Sequence, residues 1–515
     1  MAHASGPADE GFLPADFVHA PSGVHYRMTE DAGKVWLSYA RSDGSRSLEG
    51  QQELKYFLGP GRRGRTYLFE REGYWFEAPI NWYAKRQMWD MTPHYLDASE
   101  MPLTLPVDPG CLHCHASGAA PSSPDARNHY AGEPFATGGI TCEACHGDAT
   151  AHVESAGKAR LPNIDGMKAI RRDSVCLNCH LEGQVGVHRL GKRVEDFKPG
   201  DDLFDYTLFF VYRGESGSGG RATSQWEALL RSACKRGAGD RLTCTTCHDP
   251  HGSPAPEERV AFYRRKCLAC HNGAGFAEKH HAENPDCTAC HMARPPSNDI
   301  AHEQVTDHWI RRRVSEERLP LATSGELMAV GGMEADDRDL GLAYAQMAAR
   351  GDRAAGMRAM ELLRRAEMQR EASRDHELHA QLGFLEQVDG EIEEAAKEYR
   401  LALQADPYDA LAAGDLALIE AKRHNPGEAI RLWSLVAERD PTQAAAAMNL
   451  ATVDCAEGER EAALQTLGRL QEFSPTMRGL GNLRSRSGRG EGAVVHAEGR
   501  WAGFWGDLWR LLGAF

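Results

Sequence analysis

Between Lys34 and Trp89, short apolar and aromatic runs alternate with Gly-rich turns. Val35-Trp36-Leu37-Ser38-Tyr39, Thr66-Tyr67-Leu68-Phe69 and Tyr74-Trp75-Phe76-Glu77-Ala78 predict short strands. Gly59-Pro60-Gly61 and Glu72-Gly73 predict the turns between them. We expect residues 27–105 to form a small antiparallel β-rich module, preceded by a flexible tail at 1–26. From about 106 to 315 long helical periods are scarce, and Gly, Pro, Asp and Asn are frequent. The insert Leu181 to Thr243 holds an apolar run from Asp202 to Val211, read as a strand or a helix. It also holds a flexible Ser216-Gly217-Ser218-Gly219-Gly220 stretch and one amphipathic helix from Gln225 to Cys234.

Past Arg313 the text turns to Ala, Leu, Glu and Arg with helical periodicity, after a linker expected at 316–335. A 34-residue repeat emerges, the tetratricopeptide period. Leu382-Gly383, Ala395, Tyr399, Ala402 and Pro407 recur as Leu416-Ala417, Ala429, Trp433, Val436 and Pro441. They recur again as Leu450-Ala451, Ala463, Leu467, Leu470 and Pro475. A degenerate copy starts at Leu342-Ala343 with Ala355. Small residues let paired helices approach, and Pro ends the second helix of each unit. Residues 336–478 are therefore expected to be an all-α tetratricopeptide solenoid. An Arg/Gly-rich segment follows from 479, and then an aromatic helix carrying Trp501, Phe504, Trp505, Leu508 and Trp509. That helix is too short to span a bilayer and is expected to cap the array or lie on a membrane interface.

The chain has 515 residues, enough for two to four domains. Its formal net charge of −15 argues against nucleic acid and fits a basic partner protein steered by electrostatics. No run of eighteen apolar residues appears, so no transmembrane span is expected. Met1 to Phe17 lacks the basic and apolar regions of a secretory signal.

The chemistry lies in the cysteines. Twelve of the fourteen fall into six Cys-x-x-Cys-His motifs. They are Cys111-Cys114-His115, Cys142-Cys145-His146, Cys176-Cys179-His180, Cys244-Cys247-His248, Cys267-Cys270-His271 and Cys287-Cys290-His291. This pattern attaches c-type haem: the thiols bond the vinyl groups and the following imidazole takes the iron. Structural zinc also uses paired cysteines, but it has no need of His directly after every second one. Six covalent haems c are therefore expected, in an irregular haem-packed domain spanning 106–315, with the β module beside the first of them. Attachment takes place outside the cytoplasm, which implies a periplasmic or extracellular protein whose signal segment is missing from this sequence. Cys455 reads as a core residue, and Cys234 has no assigned role.

The proximal iron ligands are then His115, His146, His180, His248, His271 and His291. The second axial ligand sets the function: a distal His gives a six-coordinate electron carrier, and an empty position admits substrate. Ten further histidines lie between residues 94 and 308. Of these, His129, His152, His251, His281, His302 and His308 are the distal candidates. His280 and His281 are interchangeable at this level.

Four segments carry a likeness. They are Gly139-Ile140-Thr141-Cys142-Glu143-Ala144-Cys145-His146-Gly147, Leu242 to Gly252, Cys287-Thr288-Ala289-Cys290-His291-Met292, and Val305-Thr306-Asp307-His308. The chain resembles the bacterial multihaem cytochromes with a tetratricopeptide domain, the cytochrome c-554-like or CxxCH group. The likeness covers most of residues 50 to 475. It implies electron transfer, with redox partner proteins that are basic or membrane-bound and with oligomers or larger assemblies in prospect. The wider group also includes relatives of hydroxylamine oxidoreductase and multihaem nitrite reductase. A Cys-x-x-Cys-Lys site, frequent in those nitrite reductases, is absent here. The expected function is electron carriage along mostly bis-His haems, with no catalytic residues and the repeats docking a partner. The rival is an oxidoreductase with one open iron acting on a small nitrogen or sulfur compound.

Overall fold

The computed structural model describes residues 3–5, 15–43, 46–59, 64–84, 86–92, 95–96, 103–124, 126–213, 225–273, 275–276, 280, 283–292, 294, 306–312, 325–369 and 372–475. The chain divides into two compact units. One joins Met1–Ile140 to Asp336–Phe515, and the other is Thr141–Ala335.

In the first unit, β2 (Ala15–His19), β3 (Val24–Asp31), β4 (Lys34–Asp43), β5 (Arg46–Gly59), β6 (Gly64–Arg71), β7 (Tyr74–Tyr83) and β8 (Met88–Met91) pair in chain order. β1 (His3–Ser5) adds to β5 and β9 (Leu105–Pro106) to β7, and every pairing is antiparallel. The sheet curls until β2 lies against β8. Alternation explains the core: Val24, Tyr26 and Met28 are buried while the intervening Arg27 is exposed. Register shifts between Leu54 and Tyr56, and between Thr66 and Leu68, mark the long strands. The expected tail at 1–26 is thus corrected. Its residues supply β1, β2 and the start of β3, because their backbones pair into the ladders of the curled sheet.

Beyond the sheet, four antiparallel helix pairs follow. Repeat I is Asp337–Ala349 with Arg353–Glu367, and repeat II is His376–Asp389 with Ile392–Ala405. Repeat III is Ala410–Lys422 with Pro426–Arg439, and repeat IV is Ala444–Glu457 with Arg460–Phe473. The motif residues have direct physical roles. A Cβ on Gly383 would meet the Tyr399 ring at 2.9 Å, so only glycine lets these helices close. Asp336, Asp352, Asp375 and Asp409 each accept from a backbone N–H three residues on, capping four helices. Arg338, itself buried, joins repeat I to repeat II through Asp375 at 2.5 Å and Glu377 at 3.0 Å.

The sheet and the last repeats share one core. Phe473 is fully buried among sheet residues, 5.8 Å from the Tyr74 ring and 6.1 Å from Phe76. The Tyr74 hydroxyl donates to the Arg439 carbonyl at 2.7 Å, and Thr104 Oγ1 donates to the Phe473 carbonyl at 2.5 Å. Arg71 donates to the Glu472 carbonyl, and Arg469 pairs with Glu72 at 3.1 Å.

The second unit contains short helices and a three-stranded sheet of β10 (Val185–His188), β11 (Thr207–Tyr212) and β12 (Leu327–Ala329). Two expectations change here. The linker expected at 316–335 contributes β12, whose apolar Leu327 and Ala329 are buried on β11. The single helix expected over 225–234 is two, Gln225–Leu230 and Ala233–Ala238, parted at the buried Ser232. No helix among the described residues is long and apolar enough to cross a membrane. The aromatic segment 501–512 lies outside the described residues.

Candidate haem-attachment sites

A Cys-x-x-Cys-His motif wound into one helical turn puts positions i, i+3 and i+4 on one face. Local structure supplies that turn at five motifs. The helices are Pro109–His115, Glu143–His146, Ala169–His180, Cys244–Cys247 and Cys287–His291, and the fifth motif begins at the end of Arg259–Leu268. Side-chain caps start several of them. Asp108 accepts from the Cys111 N–H, Thr243 and Thr246 make a reciprocal capping box, and Asp286 accepts from two backbone N–H groups. The buried Asp173 accepts from the Cys244 N–H at 3.1 Å.

The first motif belongs to the first unit, not to the compact unit holding the other five. Leu112 is fully buried with Leu68, Trp75, Val107, Tyr130 and Phe135, so the sheet itself seats this turn. No two described cysteines are joined in a disulfide. Burial pushes Cys111 and Cys267 up to about 12, which keeps both protonated near neutrality. Cysteines of successive motifs meet: Cys176 hydrogen-bonds Cys244, and Cys267 hydrogen-bonds Cys287. Cys234, unassigned from sequence, has its pKa raised chiefly by burial, and it lies close enough to Cys247 to help raise that thiol's pKa.

The histidines show a more specific arrangement. His146 and His251 have ring centroids 6.0 Å apart and planes within 7°. His248 and His308 are 6.0 Å apart at 32°, and His291 and His280 are 5.9 Å apart at 22°. Each pair joins a motif histidine to a non-motif histidine. Two imidazoles held at about 2 Å on opposite sides of one iron would have centroids about 6 Å apart.

Tautomers agree with ligation. His152 Nδ1 donates to the Ala159 carbonyl at 2.6 Å, His291 Nδ1 to Arg311 at 2.6 Å, and His308 Nδ1 to Thr306 at 3.0 Å. A backbone carbonyl on Nδ1–H leaves Nε2 with its lone pair, the usual support of a metal-bound histidine. Burial lowers the pKa of His180, His248 and His308, favouring the neutral ring that can bind iron. His146 Nδ1 is buried without a hydrogen-bond partner. These residues fit a haem c at each of the three paired motifs.

The segment carrying His308 is itself held firmly. Ser232 Oγ donates to the His308 carbonyl at 3.0 Å and accepts from the Ile310 N–H at 2.8 Å. Three residues on, the Arg311 N–H donates to the His291 carbonyl at 3.0 Å. One short strand of chain therefore reaches two motifs.

The other candidates fall elsewhere. His129 bridges to Tyr74 on the sheet: its Nδ1 bonds Ser123 at 2.7 Å and its ring lies 4.6 Å from Tyr74. Those contacts belong to sheet packing. His281 and His302 lie outside the described residues. His280 is the residue that sequence reasoning left undecided. Phe276 was not foreseen at all: it stacks on His271 at 5.4 Å and on His280 at 4.8 Å.

Comparison with known proteins adds one family and one set of structures. The family described as Doubled CXXCH motif matches residues 237–276, which span the fourth and fifth motifs. No curated protein matches the chain. Among solved structures the chain is similar to MamA of AMB-1, at 18% identity and TM-score 0.27, over 31% of this chain and 89% of that one. MamA of MSR-1 gives 17% and 0.26, over 35% and 97%. MamA from Desulfovibrio magneticus RS-1, from residue 41 to its end, gives 17% and 0.26, over 31% and 93%. The CXXCH motifs indicate covalent haem c, as in c-type cytochromes.

Proposed function

We propose that this protein is an extracytoplasmic hexahaem cytochrome that carries electrons along mostly bis-His haems, with its repeats docking a redox partner. One observation carries the reading: three motif histidines each stand about 6 Å from a histidine outside the motifs. A haem c so held supplies a reversible one-electron iron couple. The chain's own part is to keep His248 and His308 neutral by burial, to fix the Nδ1–H of His291 and of His308 on backbone carbonyls, and to offer each of the three irons a second imidazole that would exclude small ligands. We assign His251 to the iron of His146, His308 to that of His248, and His280 to that of His291. His152 is the remaining described candidate for an iron ligand.

His308→Ala tests this. In the ferric holoprotein a new high-spin signal is expected, and the reduced protein should gain carbon monoxide binding at one iron. The wild type should bind almost none at the three paired irons. A variant that stays fully low-spin would remove His308 from the ligand set.

A second reading rests on Phe276. The ring beside His271 is a phenylalanine, which cannot ligate iron, and this favours one five-coordinate haem at the fifth motif. Under this reading the wild type binds one equivalent of carbon monoxide, and Phe276→His abolishes that binding. The site would then turn over a small nitrogen or sulfur compound.

A further inference from the structure

Repeats I and II hold a second cluster of ligand-type side chains, away from every Cys-x-x-Cys-His motif in sequence. Glu367 closes the second helix of repeat I, His379 sits on the first helix of repeat II, and Glu398 on its second. Their ligand atoms all lie within 4.8 Å of one another. His379 and Glu398 are each 3% exposed, and His379 Nδ1 lies 2.6 Å from Glu398 Oε2. Packing alone gives no reason to bury this many ionisable groups between helices that are otherwise Ala- and Leu-lined.

Glu386 supplies an independent observation. It is 4% exposed and lines an open cavity of about 490 Å³ together with Glu367 and Glu398. Its Oε1 meets Arg364 at 3.3 Å, but Oε2 is buried without a hydrogen-bond partner. A buried carboxylate oxygen left unpaired is costly unless something positive, or a bound water, satisfies it. The cavity offers the entry path from solvent that a metal site requires.

We propose that Glu367, His379 and Glu398 bind one divalent transition-metal ion of the zinc class, with Glu386 Oε2 accepting from a metal-bound water. One imidazole nitrogen and two carboxylates match zinc and its neighbours, and not calcium or magnesium, which take oxygen alone. Two carboxylates and a neutral imidazole balance the ion's charge. Three protein ligands leave a position for water. Arg364 and Lys397, at 3.3 Å from Glu386 and 3.4 Å from Glu398, hold the carboxylates from the solvent side.

The test uses the full haem-loaded chain, stripped with EDTA and titrated calorimetrically with zinc chloride. Bound zinc is counted against haem iron by mass spectrometry. Wild type is expected to take one zinc per chain beyond the number taken by Glu398→Gln. Affinity at that site should fall about 100-fold or more in His379→Ala and Glu398→Gln. Glu367→Gln, at a partly exposed position, keeps the test decisive if a buried variant misfolds. Equal uptake and affinity in wild type and Glu367→Gln overturns the site, as does a wild type that takes no zinc.

Discussion

Asp415 shows how a single buried acid sets a pH response. Burial raises its pKa to about 6, against the hydrogen bond that the Tyr399 hydroxyl donates at 3.2 Å. Between the unfolded value near 4 and about 6, the native state keeps a proton that the unfolded state has released. The contribution of Asp415 to stability therefore falls as pH rises through that window, and its full penalty is present at pH 7. Asp415→Asn should be more stable than wild type at pH 7, with the difference shrinking towards pH 4, as urea midpoints at the two values would show. Arg338 is the opposite case, because its charge is compensated by Asp375, Asp339 and Glu377. Arg338→Ala strands those carboxylates and should cost about 3–5 kcal/mol in urea denaturation. Residue identity made the cysteines and motif histidines legible at once, since their spacing is the chemistry. His251 and His308 were candidates from the sequence, but their partners were not legible, because they meet His146 and His248 only after folding. Adjacent His280 and His281 have the same composition around them; His280 stands 5.9 Å from His291, and His281 lies outside the described residues.

The helix pairs were the most legible elements, because a 34-residue period repeats its packing contacts in every copy. The same period exposes one irregular position. Gly390 and Gly458 end equivalent helices with φ near +93°, while His424 fills the corresponding place at φ 59°. A side chain there costs about 1 kcal/mol relative to glycine. His424→Gly should stabilise the protein by about that much, measured by the denaturation midpoint at constant m-value. Trp433→Ala should act the other way, by about 3–5 kcal/mol, since the indole is buried and its N–H donates to the Gly414 carbonyl at 3.2 Å. The sheet was less legible. β3 alternates only three apolar residues, the first two inside the stretch read as a tail, and the middle of β5 is a polar Gly50-Gln51-Gln52-Glu53 run. Such strands are recognised by their neighbours in the ladder more than by their own text.

At the scale of the whole chain, haem number is the first quantity to measure. Six motifs predict six haems whose mass stays with the polypeptide through acid–acetone extraction, and a zinc-bearing apoprotein would refute the account. The second quantity concerns autonomy. Residues 336–478 read as a complete solenoid, but a fragment cut there would uncover Phe473, which the sheet fully buries. Phe473→Ala in the intact chain should therefore loosen the sheet as well as the last helix, seen as lower tryptophan anisotropy or faster proteolysis within β6 and β7.

That shared core also has a consequence for how the protein is made. The sheet is synthesised before Phe473, with Thr141–Ala335 between them. The first unit cannot close until Phe473 has been added, and its contacts bridge about 400 residues of sequence. During that interval all six attachment motifs have already emerged, tethered to a body still incomplete. Maturation thus has a time window written into the order of the segments. A circular permutant that begins at Asp336 would bring repeats and sheet together early, and the fraction of fully loaded chains would report how much that window matters.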